Sequence, residues 1–324
     1  MKIFIAESYG KHSEIDIVSG AVGLYQEPIA DLPFLQAKTL ETSDAVLVPH
    51  DAYYFSKYPD YLEYLNELSN KKLIIFSDRG DFPKKPKIAN SVALRVAINP
   101  GESINRKIVI PYNVQSLSFL PYRKLQVRPT VSFVGFIPKV SLGRTKYAFQ
   151  QSPLHPIKGN GALVRRLTNA TINSADVHFE SLIRGSYGAL DVGNHDLEKN
   201  RLEYIKSINE SDLIACPRGD ANQSARFYET LSAGRIPLIP DSSIIFPEVI
   251  CKFQTENIIK FQLLSRNIDL LIAKYFDSIK SQSDYVQVQD RLRSNFEKNF
   301  RFQNVIKHIF SGDLNSFLAL ARLI

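Results

Sequence analysis

The chain has 324 residues, 44% of them hydrophobic and 23% charged, and no apolar run approaches the ~20 residues of a membrane-spanning helix, so disorder and a transmembrane class are excluded and two ordinary domains are expected. A net charge of +7 favours anionic partners such as nucleotide phosphates, a phosphorylated lipid carrier or an acidic membrane face, and it also serves solubility alone; no dense basic arm or aromatic–basic repeat marks a nucleic-acid binder. Cys216 and Cys251 give neither a disulfide framework nor zinc spacing, and a reducing cytoplasm is the expected location.

The chain opens on a short apolar strand, residues 2–6, stopped at Glu7 and lacking the long apolar core and cleavage site of a signal peptide. Residues 45–48 read as a buried parallel strand followed by a loop with His50 and Asp51. Helical spacing covers residues 60–68. Residues 72–76 form another strand, followed by the loop Ser77-Asp78-Arg79-Gly80-Asp81. Residues 91–98 and 107–110 read as further strands. Strand–helix alternation of this kind predicts a doubly wound α/β domain over residues 1–127.

Residues 120–130, with Pro121, Arg123, Lys124, Arg128 and Pro129, read as a linker. A second α/β domain, residues 128–294, opens on residues 131–136, where a strand runs into Gly135, as happens where a sheet edge faces a ligand. Residues 160–170 and 201–208 are expected helices. The tail, residues 295–324, places Phe296, Phe300, Phe302, Val305, Ile306, Ile309 and Phe310 at helical spacing and is expected to pack back on the first domain, a plain core helix being the other reading.

Between them lies a strand–loop–helix–strand unit. Residues 211–216 are a strand and residues 217–223 a polar loop containing Arg218 and Gly219. Ser224 is placed to cap a helix over residues 225–233, Gly234 ends it in the left-handed region, and residues 235–240 return as a strand. The helix start offers free N–H groups and a partial positive charge to an anion. Arg226 adds a guanidinium fork suited to a diphosphate, and Glu229, three residues on and on the same side, a carboxylate suited to ribose hydroxyls. An Arg–Glu pair at this spacing also occurs on ordinary solvated helices, and spacing alone leaves that reading open.

The segment from Tyr204 through Ser211-Asp212-Leu213-Ile214-Ala215-Cys216-Pro217-Arg218-Gly219, Ser224-Ala225-Arg226-Phe227-Tyr228-Glu229 and Ser232-Ala233-Gly234 to Asp241 resembles the donor-site signature of exostosin-type glycosyltransferases. Arg235 stands where that pattern has cysteine or a small residue. The resemblance implies a GT-B fold, two Rossmann-like doubly wound domains facing across a cleft. It implies a UDP-sugar donor held by Arg226, Glu229, Ser224, Arg218, Gly219 and Gly135, and transfer with inversion. With no anchor segment, the resemblance points to a bacterial-type enzyme of surface-polysaccharide assembly acting on a glycan or lipid-linked acceptor, cytoplasmic or peripheral to the inner membrane face. No cofactor is expected, and the absence of Asp-x-Asp fits a metal-independent transferase.

An inverting transfer needs a general base facing the donor. Asp51 is the first candidate, followed by His50, Asp78 and Asp81, the alternatives being that Asp51 caps a turn and Asp78 pairs with Arg79. Cys216 reads as a buried small residue rather than a nucleophile. Arg144 is a phosphate candidate or a surface arginine, and His155, His178 and His195 read as ordinary loop histidines. Two further readings remain: a catalytically silent GT-B subunit that binds a glycan or stabilises a partner, and an NAD-dependent Rossmann enzyme, which lacks its Gly-x-Gly-x-x-Gly.

Overall fold

The computed structural model describes residues 1–7, 35–78, 86–99, 101–139, 141–151, 156–184, 197–219, 221–250, 252 and 255–322. The first domain is a parallel sheet of β1 (Lys2–Ile5), β2 (Leu35–Gln36), β3 (Ala45–Asp51), β4 (Leu73–Asp78), β5 (Ser91–Arg95) and β6 (Lys107–Val109), in the order β2-β1-β3-β4-β5-β6. The central strands are near-continuous apolar runs because both faces are covered. After the single turn α1 (Ala52–Phe55), α2 (Pro59–Ser69) begins on a proline, whose missing N–H costs nothing there, and buries Tyr61, Leu65 and Leu68 against Val46, Val48, Ile74 and Phe76. β3 runs three residues past the expected strand end, so His50 and Asp51 belong to the sheet rather than to a loop. Its register with β4 slips between Leu47 and Asp51, around Pro49, which has no N–H for the ladder.

The second sheet consists of β7 (Thr130–Phe136), β8 (His178–Arg184), β9 (Leu213–Ala215), β10 (Ile236–Pro240) and β11 (Ile259–Phe261), all parallel, in the order β11-β10-β9-β7-β8. Its helices are α3 (Leu142–Gln151), α4 (Pro156–Gly159), α5 (Gly161–Asn173), α6 (Leu197–Glu210), α7 (Ala225–Ser232), α8 (Ile268–Asp277) and α9 (Gln282–Asn295). Asn160 caps α5, its Oδ1 accepting from the Leu163 N–H at 3.1 Å. In each sheet the first strand lies between the second and third, so the strand order reverses at β1/β3 and at β7/β9. Ligands of open α/β sheets bind outside the carboxyl ends of the strands at such reversals.

The chain crosses between domains twice. Val114, Leu117 and Leu120 already pack in the core of the second domain. Beyond α9, a π-helical turn, Phe296–Phe300, keeps Phe296 and Phe300 in that core. From Arg301, which is extended, the chain returns to the first domain as α10 (Phe302–Ser311) and α11 (Leu314–Leu320). Phe302, Ile306, Phe310 and Phe317 share one apolar cluster with Ile3, Leu47, Ile75 and Leu94. The Met1 ammonium donates to the Gly312 carbonyl at 2.8 Å, and the Arg106 N–H to that of Ala321 at 3.1 Å. No described helix is long and apolar enough to cross a membrane.

Candidate functional site

The α7 unit sits at the carboxyl edge of the second sheet. Phe227, Tyr228 and Leu231 are buried, with Phe227 against Phe246 and Phe300. Ser224 holds the N-cap position with extended backbone, yet its side chain makes no cap hydrogen bond. Gly234, just past the C-cap Ala233, has φ +69°, and a Cβ there would lie 3.0 Å from the Gln289 carbonyl, so glycine is required on two counts.

Arg226, in the first turn of α7, spans the strand reversal. Its Nη2 donates to the Val134 carbonyl of β7 and its Nη1 to the Ala215 carbonyl of β9 at 3.4 Å. The guanidinium lies 4.8 Å over the Phe133 ring and 5.7 Å from that of Tyr204. It crosses β7 at Gly135, where a Cβ would come within 2.6 Å of Nη2, so the glycine makes room for the arginine. Its Nε is buried without a hydrogen-bond partner among the described residues.

Glu229, one turn on, is 8% exposed. Its Oε1 pairs with Arg201, and its Oε2 accepts from the Tyr204 hydroxyl at 2.7 Å. Arg201 also donates to Gln115 Oε1 at 3.3 Å. Burial, and then the Glu229 charge, push the Tyr204 hydroxyl well above its ordinary range. Arg201 and Tyr204 both come from α6, and Tyr204 lies in the segment that carries the resemblance, which is the signal the sequence holds for the pair.

The loop after β9 is fastened to both domains. Arg218 is fully buried, Nη1 donating to the Lys158 carbonyl at 2.7 Å and Nη2 to Asn99 Oδ1 of the first domain at 3.2 Å. Asn222 Nδ2 reaches the Ile98 carbonyl at 3.1 Å, and Ala221 packs into the apolar cluster of the first domain. Gly219 lies under Arg165, which donates to the carbonyls of Arg218 at 3.1 Å and Phe136 at 2.9 Å. Arg218 and Gly219 therefore shape the loop and its junction. Cys216 is buried, and burial pushes its thiol up to about 12.

The described base candidates, His50, Asp51 and Asp78, lie on the first sheet, all buried. His50 and Asp51 end β3 at the reversal, the His50 ring 6.2 Å from that of Tyr61. Asp78 ends β4 beside Arg95 in the cross-strand register, Arg95 Nε 3.2 Å from its Oδ2, and Arg95 also pairs with Glu102. The Asn99 N–H donates to Glu102 Oε2 at 3.3 Å, so polar contacts run from Asp78 through Arg95, Glu102 and Asn99 to Arg218. His178 opens β8, at the strand end away from the site, 3.5 Å from Glu180. Arg79, Asp81, His155, His195 and Cys251, and the side chain of Arg144, lie outside the described residues.

Two parallel doubly wound sheets, with the final helices returning to the first, define a GT-B architecture. A family model described as the RXYLT1 C-terminal domain matches residues 188–296, a segment containing β9, α7 and β10. No curated protein sequence matches the chain. Among solved structures it is similar to TarM of S. aureus, at 15% identity over 79% of this chain and 57% of that one, TM-score 0.37. It is also similar to the catalytic domain of starch synthase IV from Arabidopsis thaliana bound to ADP and acarbose, at 10% over 86% and 73%, TM-score 0.43. Anabaena Alr3699/HepE in complex with UDP-glucose is similar at 12% over 95% and 97%, TM-score 0.40. The chain spans little more than half the length of TarM.

Proposed function

We propose that the chain is an inverting glycosyltransferase of bacterial type that moves a sugar from a UDP-sugar to a glycan or lipid-linked acceptor in surface-polysaccharide synthesis, in the cytoplasm or at the inner membrane face. The observation that carries this reading is Arg226: a guanidinium at a helix start, straddling the strand reversal with a buried donor unpartnered. Breakage of the anomeric C–O bond leaves negative charge on the departing diphosphate. Arg226 and the N–H groups opening α7 offset that charge, the work a metal does elsewhere. Glu229, oriented by Arg201 and Tyr204, accepts from the ribose through its remaining lone pairs. Asp51 takes the proton of the acceptor hydroxyl, with His50 beside it; it ranks above Asp78 because its strand, β3, borders the reversal of its sheet.

One observation favours a second reading, a silent binding subunit: both Glu229 oxygens are occupied and His50, Asp51 and Asp78 are closed off from solvent. Calorimetry with UDP, alongside UDP release from a panel of UDP-sugars, separates the two. Arg226→Ala is expected to weaken UDP binding by about 1.5–3 kcal/mol with the fold intact. Parent-like binding in that variant would remove the donor site from α7, and UDP binding without turnover on any donor and acceptor would favour the silent subunit. Transfer is expected to persist in excess chelator; activity lost there and restored by manganese would count against a metal-free donor site.

A further inference from the structure

β8 ends at Arg184, whose partner in register on β7 is Phe136, one residue beyond the Gly135 that Arg226 crosses. Arg184 donates through Nη2 to the Asn200 carbonyl on α6, and the same atom lies 3.6 Å from Glu203, a carboxylate 41% exposed. Its Nε, like that of Arg226, is buried with no hydrogen-bond partner among the described residues. Burial is the main cause that lowers the Arg184 guanidinium; the Arg226 charge lowers it further, and Glu203 opposes both.

The charges do not balance. Arg201 is neutralised by Glu229, while Arg226 touches backbone carbonyls and rings and has no carboxylate within ion-pair distance among the described residues. Among the described residues the only carboxylate at Arg184 is the half-exposed Glu203, a pair that contributes little. Two guanidinium groups are thus held near each other, partly stripped of water, each with an N–H unspoken for. That arrangement disfavours itself until an anion arrives, and two planar forks suit the oxygens of one phosphoryl group.

We propose that Arg184 is a specificity-determining residue of this site: with Arg226 it grips the terminal phosphate of a nucleoside diphosphate and makes the site select diphosphate over monophosphate. The proposal rests on the donor-site reading of α7 and adds to it a residue from a different strand.

The test is calorimetry on the full chain with uridine, UMP, UDP and inorganic pyrophosphate, for the parent and for Arg184→Ala, Arg184→Lys, Arg226→Ala and Glu203→Gln. Arg184→Ala is expected to lose about 10- to 100-fold in UDP affinity, with uridine and UMP shifted less than about twofold. Arg184→Lys recovers part of the loss, keeping the charge without the fork. Glu203→Gln, which removes the competing carboxylate, is expected to tighten UDP by about two- to fivefold. If Arg184→Ala binds UDP like the parent while Arg226→Ala does not, the proposal is overturned and the donor-site reading stands. If the parent binds no UDP, that reading falls and pyrophosphate decides: binding that disappears in Arg184→Ala supports the two-arginine grip, and no binding by the parent overturns it. Should Arg184→Ala fail to fold, unchanged UDP affinity in both Arg184→Lys and Glu203→Gln overturns the proposal.

Discussion

The buried arginines of the second domain differ in what they hold. Arg235 directs its donors to the carbonyls of Ile208 at 3.1 Å, Ala233 at 2.9 Å and Pro121 at 2.9 Å, and to Gln289 Oε1 at 3.2 Å. Burial lowers its guanidinium to about 10, still protonated at neutral pH. This residue, the departure from the family pattern after Gly234, is a brace between the linker, α6 and α9. Arg235→Met leaves buried carbonyls unpaired and is expected to lose about 2–4 kcal/mol in urea denaturation, with UDP affinity of the folded protein unchanged. Arg226→Ala also gives up two carbonyl contacts and its packing on Phe133, and is expected to be set apart by a loss of UDP affinity that Arg235→Met lacks. Between them stands Glu229: Glu229→Gln leaves Arg201 without its carboxylate and is expected to weaken UDP binding about tenfold, read by the same calorimetry. The Cys216 thiol, held mostly protonated by burial, is expected to resist iodoacetamide at pH 8 in the native protein and to react after unfolding, as measured by peptide mass spectrometry.

At the scale of elements, the strands that the sequence made plain are those with both faces covered. β4 and β10 are apolar runs, and β9, α7, Gly234 and β10 follow each other at the expected places because turn chemistry and helix period agree locally. β8 escaped notice because it is an edge strand carrying His178, Glu180 and Arg184, and its exposed residues erase the apolar run. β2 and β11 are too short for any pattern. His50 and Asp51 extend β3 beyond the expected strand end because Pro49, which resembles a strand stop in sequence, here only shifts the register. The spacing of Arg226 and Glu229 places both on one helix, as α7 does, while the donor role proposed for them rests on the family resemblance. Of the residues around them, only Tyr204 lies in the resembling segment; Arg201 and Arg184 arrive from α6 and β8, and tertiary contact leaves no local trace. Gly234→Ala tests the local reading directly. A methyl group in the left-handed region, 3.0 Å from the Gln289 carbonyl, is expected to cost about 1–2 kcal/mol, seen as a lower midpoint of thermal unfolding.

For the whole molecule, the decisive feature is that the chain changes domains twice. α10 and α11 complete the core beneath β1, β3, β4 and β5, so a chain ending before Phe302 would expose Ile3, Leu47, Ile75 and Leu94. Such a truncation is expected to be insoluble or to aggregate during purification, as judged by its fraction in the soluble lysate and by light scattering; a monodisperse, active truncation would show the first domain complete without it. The same feature sets an order of events during synthesis. The first sheet leaves the ribosome early but lacks one wall of its core until residues 302–321 emerge, whereas the second domain has all its core residues by Phe300. The later domain in the chain is therefore the earlier one to have its core complete, and the first sheet must wait, half covered, until residues 302–321 have been made.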